Sequence, residues 1–227
     1  MATQLDLQEQ EQLDELKAFW KQYGNLITWV LILVLGAFAA WNGWNWYQRE
    51  QAGKASAMFD ELERAAQAGD AEKAGKVFSD LKARYPRTAF AEQGGLLAAK
   101  VQYEKGQADG AKATLAWVAD NATENEYKTI ARLRLAGVLL DQKQYDEALK
   151  QLASASGKEF EALVADRRGD VLLAQGKKDD AKAAYQAAWK AMDEKLEYRR
   201  LVDAKLTALG APPEPAAGAS APAGAKQ

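Results

Sequence analysis

No imidazole and no thiol occurs anywhere in the 227 residues, so the chemistry open to this chain is that of carboxylates, amines, guanidinium groups and hydroxyls. Disulfides, Cys or His metal sites, thiol nucleophiles and imidazole bases are excluded together. Ser79 with Lys82 is the local candidate for a hydroxyl nucleophile beside an amine base. Carboxylate pairs occur at Asp146/Glu147 and Asp179/Asp180, but both open predicted helices, where negative charge meets the positive helix end and stays solvated. Asp120, Asn121, Glu124 and Glu126 offer calcium-type oxygens without the alternation and central Gly of an EF-hand, and helix capping accounts for them. Asp166, Arg167, Arg168 and Asp170 form a dense charge group that reads either as a salt-bridged surface or as a polar recognition patch. The expectation is a protein without enzymatic activity and without cofactors.

The elements that would position these residues follow from composition and pattern. Thirty Lys and Arg oppose 32 Asp and Glu, and the two signs are interspersed, so no basic stripe is available for a phosphate backbone and nucleic acid is not an expected partner. Absence of Cys is compatible with an oxidising compartment without establishing one. A charge-free window runs from Gln22 to Gln48, and within it Leu26 to Tyr47 reads as one membrane-spanning helix. At 1.5 Å per residue that stretch is about 33 Å long, against a hydrocarbon core of about 30 Å. Trp20, Tyr23 and Trp29 mark one end and Trp41, Trp44, Trp46 and Tyr47 the other, as amphipathic rings do at headgroup level. Ala37-Phe38-Ala39 resembles a cleavage site, but the preceding segment is acidic where a secretory signal needs a basic start. Lys17 and Lys21 balance Arg49 and Lys54, so the flanking charges leave the orientation open. Gly36, Ala40 and Gly43 make a smooth stripe on the span on which another membrane helix could dock.

Beyond the span the pattern is helical to Leu209, rich in Ala, Leu, Glu, Lys and Gln and free of hairpin signals. Four copies of one grammar can be laid out. The first has Leu62, Gly69, Ala74, Phe78 and Pro86, and the second Ala99, Gly106, Ala111 and Leu115. The third has Leu135, Ala136, Tyr145, Ala148 and Leu152, and the fourth Gly169, Leu172, Gly176, Ala181, Tyr185 and Ala188. The alanines Ala74, Ala111, Ala148 and Ala181 are 37, 37 and 33 residues apart, close to the tetratricopeptide period of about 34. Thr123 with Glu126, and Ser156 with Glu159, have capping-box spacing. Glu194 to Leu209 suits a terminal capping helix. The fold class is therefore all-α: a short acidic N-terminal tail (1–25) whose Leu13, Leu16, Trp20 and Tyr23 suggest a helical lead-in, a transmembrane helix (26–47), a tetratricopeptide-like repeat domain (48–209), and an Ala/Pro-rich tail (210–227) expected to be disordered. On the common register Leu96, Lys100 and Tyr103, then Leu133, Gly137 and Leu140, then Asp166, Asp170 and Leu173 fall on the concave surface as candidate partner-binding residues, although Leu133 and Leu140 suit the core equally well.

The stretch LRLAGVLLDQKQYDEALKQL (Leu133 to Leu152), with ADRRGDVLLAQGKKDDAKAAY (Ala165 to Tyr185) behind it and a single N-terminal span ahead, resembles the YfgM family, ancillary subunits of the bacterial SecYEG translocon. The resemblance covers about residues 15 to 209; the acidic start and the Ala/Pro-rich tail depart from it. It implies a single-pass inner-membrane protein with a cytoplasmic N-terminus and a periplasmic repeat domain. It also implies SecYEG and a membrane-anchored parvulin-type chaperone as partners, with unfolded client proteins as a further class. A repeat scaffold for envelope assembly or cytochrome maturation is the alternative.

Overall fold

In the computed structural model, which describes residues 7–213, every regular element is a helix. Compact packing divides the chain between Gln51 and Ala52. Helix α1 (Leu7–Gln67) contains the apolar stretch and is long and apolar enough to cross a membrane. In the first unit its large side chains, including Leu26, Trp29, Leu33 and Phe38, are exposed, as a lipid-facing helix requires. Two polar side chains of this stretch, Thr28 and Asn42, bond to the helix itself: Thr28 Oγ1 donates to the Gly24 carbonyl at 2.7 Å and Asn42 Nδ2 to the Phe38 carbonyl at 2.9 Å. A Cβ added at Gly36 or Gly43 would meet nothing within 4 Å.

The second unit opens with the last turns of α1, where Ala55, Leu62 and Ala65 are buried. There follow α2 (Ala71–Arg84), α3 (Ala89–Glu104), α4 (Ala108–Asn121), α5 (Asn125–Asp141), α6 (Tyr145–Ala153), a short 3-10 turn (Lys158–Phe160), α7 (Glu161–Ala174), α8 (Lys178–Ala191) and α9 (Tyr198–Ala208). The end of α1 with α2, then α3 with α4, α5 with α6 and α7 with α8, are the four predicted repeats. α3 packs on α5 and α5 on α7, so the first helices of successive repeats lie side by side. All four register alanines, Ala74, Ala111, Ala148 and Ala181, are fully buried. Each lets its helix approach the first helix of the pair closely, and the larger Phe78, Leu115, Leu152 and Tyr185 fill the space beside it.

The four turns between paired helices share one geometry. The amides of Asp70, Gln107, Gln144 and Lys177 donate back to Ala65, Gln102, Leu139 and Leu172 carbonyls at 2.8–2.9 Å, closing a Schellman turn each time. That turn needs a left-handed residue, supplied by Gly69, Gly106 and Gly176 but in the third repeat by Lys143, at φ 60°. A side chain there costs about 1–2 kcal/mol, partly offset by the smaller freedom of Lys in the unfolded chain. Lys143→Gly is accordingly expected to stabilise the domain by about 0.5–1 kcal/mol and raise the thermal midpoint by about 1–4 °C. A midpoint that stays level or falls on thermal unfolding of the full chain would contradict this.

Asp70 and Thr88 cap α2 and α3 locally, accepting from the amides of Lys73 at 2.9 Å and Ala91 at 3.3 Å. The two predicted capping boxes do not form. α5 begins at Asn125, and the Thr123 amide donates instead to buried Glu92 at 2.6 Å. The Ser156 amide and carbonyl are both held by Thr129 Oγ1, and α7 starts only at Glu161 after the 3-10 turn. In each case a partner from a neighbouring helix replaces the local cap. Between repeats, Gln142 Nε2 donates to Asp109 at 2.9 Å and Gln175 Nε2 to Asp146 at 3.0 Å, a repeated link. Asp146 thus opens α6 as predicted but is also a rung of this ladder.

Candidate functional site: the groove on the first helices

Three first helices place their side chains around one open groove of about 410 Å³. From α3 come Ala99, Lys100, Tyr103 and Glu104; from α5 Arg134, Gly137, Val138 and Asp141; from α7 Arg167, with Leu115 of α4 beneath. The floor is apolar (Ala99, Leu115, Val138) and the walls are charged. Tyr103 is 44 % exposed and its hydroxyl donates to Asp141, which holds the phenol's pKa above its ordinary value, with burial adding to the effect. Lys100 lies 3.8 Å from Glu104, an exposed one-turn pair. Arg134 donates to the Leu96 carbonyl at 3.2 Å while remaining exposed, and Arg167 lies 3.6 Å from Asp170. Gly137 keeps the middle of the groove open: a Cβ there would lie 3.9 Å from the Arg167 guanidinium.

Of the residues placed on the concave surface from sequence, Lys100, Tyr103 and Gly137 line this groove. Leu96 is in the core, and Leu133 and Leu140 are half-buried against it. Leu173 is exposed but does not line the groove. The further charged positions that face it, Arg134 with Arg167 and Glu104 with Asp141, lie one residue further along each helix than Leu133 with Asp166 and Tyr103 with Leu140. Helical side chains lean toward the N-terminus, so the residue covering a given spot lies about one position beyond the one counted from Cα spacing. Allowing for that lean would have found Arg134 and Asp141 from the sequence.

Asp166 and Asp170 serve a different purpose. Asp166 is 2 % exposed. It accepts from Tyr198 Oη at 2.7 Å and from Lys205 Nζ at 2.8 Å, both on α9. Asp170 accepts from Lys205 at 2.7 Å and from Tyr185 Oη at 2.8 Å. The charge group of α7 is thus a clasp for the terminal helix, with Val202 and Leu206 of α9 buried beside it. Burial first, and then the carboxylate each one donates to, raise the pKa of Tyr185 and Tyr198 well above the ordinary phenol value, so both remain donors at neutral pH. Ser79 is exposed, and Lys82 carries its ammonium over the Phe78 ring, 5.5 Å from the centroid.

A family model described as Tetratricopeptide repeat-like domain matches residues 17–211. A protein of Neisseria gonorrhoeae named ancillary SecYEG translocon subunit is 31% identical over 207 residues, covering 89% of this chain and 98% of its own length. Relatives of the same name are 32% identical over 185 residues in Escherichia coli, covering 80% of this chain and 87% of theirs, and 31% identical over 182 in Haemophilus influenzae, covering 80% and 89%. No solved structure matches the chain.

Proposed function

We propose, for a chain that belongs to the family of ancillary SecYEG translocon subunits, that it is a membrane-anchored docking module working beside that channel. The α1 span holds the repeat domain at the membrane, and the groove around Tyr103 receives a periplasmic, membrane-anchored chaperone of parvulin type or a newly translocated client. The N-terminus is cytoplasmic and the repeat domain periplasmic in this reading. The observation that carries it is the groove itself: an apolar floor and charged walls opening on the first helices of three successive repeats, where helical-repeat proteins take protein segments. Anchoring both partners in one membrane raises their effective concentration, so a modest affinity suffices. The stripe Gly36, Ala40 and Gly43, with open space at both glycines, is the surface we assign to contact with another membrane helix.

A photo-cross-linking side chain at Tyr103 or Arg134, activated in intact membranes, tests the reading. Capture of a SecYEG subunit or a membrane-anchored chaperone is expected. Capture of neither would refute it, and capture of an envelope-assembly or cytochrome-maturation factor would favour a scaffold role instead. Because the chain lacks Cys, a single Asp120→Cys substitution reports the topology. An impermeant maleimide should label it from the periplasmic side, and labelling only after the inner membrane is opened would reverse the assignment.

A further inference from the structure

We infer that the groove selects a peptide segment pairing an acidic side chain with an apolar one, the acidic group between Arg134 and Arg167 and the apolar group on the floor. This deepens the docking role proposed above and rests on it. Among the described residues that line the groove, Lys100, Arg134 and Arg167 oppose Glu104 and Asp141. Asp141 already accepts the Tyr103 hydroxyl, and Glu104 lies beside Lys100.

Among the described lining residues Arg134 has no carboxylate within ion-pair distance, and Arg167 is paired only loosely. Arg134 has given one N–H to a carbonyl and carries further donors at an exposed position. Arg167 lies 3.6 Å from Asp170, which accepts more closely from Lys205 at 2.7 Å, a cation that Asp170 shares with Asp166. Two planar forks at equivalent positions of neighbouring repeats, with Gly137 offering no side chain beside Arg167, suit a carboxylate, which guanidinium groups bind in a bidentate manner. The formal charge of the whole chain is −2, so this local positive field opposes the protein's overall sign. A concave site with low-dielectric walls concentrates such a field. Ala99, Leu115 and Val138 form the floor and offer an apolar side chain a place out of water.

The test uses the full chain in nanodiscs and three short fluorescent peptides that share Leu and Phe positions and differ in carrying Asp/Glu, Asn/Gln or Lys between them. The acidic peptide should bind about tenfold more tightly than the neutral one, and raising the salt concentration should reduce the difference. Arg134→Glu with Arg167→Glu should abolish the preference, and Arg134→Lys with Arg167→Lys should retain part of it. Lys100→Glu, an exposed substitution that leaves both arginines in place, should weaken the preference in a chain whose thermal midpoint is unchanged. Equal or tighter binding of the neutral or basic peptide would overturn the inference, as would a preference that survives the double reversal. The peptides contain no translocon or chaperone component. Acidic selectivity with neither a translocon subunit nor a membrane-anchored chaperone cross-linked would therefore sink the functional reading alone, and the reverse pair of results would sink this one alone.

Discussion

Gly169→Val is expected to lower the stability of the repeat domain by about 3 kcal/mol, near the top of the usual range for overpacked cores, and its thermal midpoint by about 6–12 °C. A Cβ at this position of α7 would lie 2.5 Å from Tyr185 Cδ1 and 2.9 Å from Cζ, where real Cβ atoms are essentially never found. Tyr185 is 1 % exposed and tethered by its hydroxyl to Asp170, so the ring has nowhere to retreat. Either α7 and α8 separate or the clasp under α9 breaks. Helix propensity works the other way by less than about 1 kcal/mol, which reduces the loss without reversing it. Gly169→Ala should fall between, and Gly36→Val, in open space, should leave the domain's midpoint alone. Thermal unfolding of the full-length variants decides: a Gly169→Val midpoint within about a degree of the parent would mean that α7 and α8 do not pack this closely.

Lys205→Met should be comparably severe for a different reason. Lys205 is the cation shared by Asp166 and Asp170. Without it Asp166, almost entirely buried, is left with only the Tyr198 hydroxyl as a partner at 2.7 Å. Removing one partner of a buried pair typically costs about 3–5 kcal/mol, most of it the penalty of the charge left behind. The loss should be local, since the clasp is what fastens α9 to α7. Trypsin should then cut at Arg199 and Arg200 markedly faster than in the parent. Adding Asp166→Asn to Lys205→Met should recover part of the stability, a non-additivity that identifies an orphaned charge rather than lost packing. Parental trypsin resistance in Lys205→Met would show that Val202 and Leu206 hold α9 without the ion pairs.

Much of the fold was legible because it rests on local rules. A charge-free, largely apolar stretch between aromatic ends needs no partner to be recognised as a candidate span. Helical period, left-handed glycines at three of the four turns and alanines about one repeat apart located all four helix pairs. Pairing places a small residue against a large one at each crossing. Gly95 lies outside the repeat grammar, although a Gly94-Gly95 pair inside an otherwise good helix is a signal. Its added Cβ would lie 3.0 Å from Phe78 and closer still to Val118, so it too marks a close approach. The capping boxes failed for the opposite reason, since a motif read over four residues ignores donors and acceptors arriving from other helices. The expected Ala/Pro-rich tail lies outside the described residues from 214 onward.

By itself the sequence determined the helical class, the single span, the repeat count and the exclusion of thiol and imidazole chemistry, because each depends on residue type and spacing along one chain. Which charges are free and which are spent was settled only by tertiary structure. Asp166, Asp170, Arg134 and Arg167 look alike as polar residues on first helices. α9 returns across the last repeat and brings one lysine to both aspartates, with Arg167 also 3.6 Å from Asp170, while Arg134, one position along in the register, is left facing the groove. Electrostatic availability is a property of the neighbours that a folded chain brings from some 35 to 39 residues away, and no local pattern encodes it.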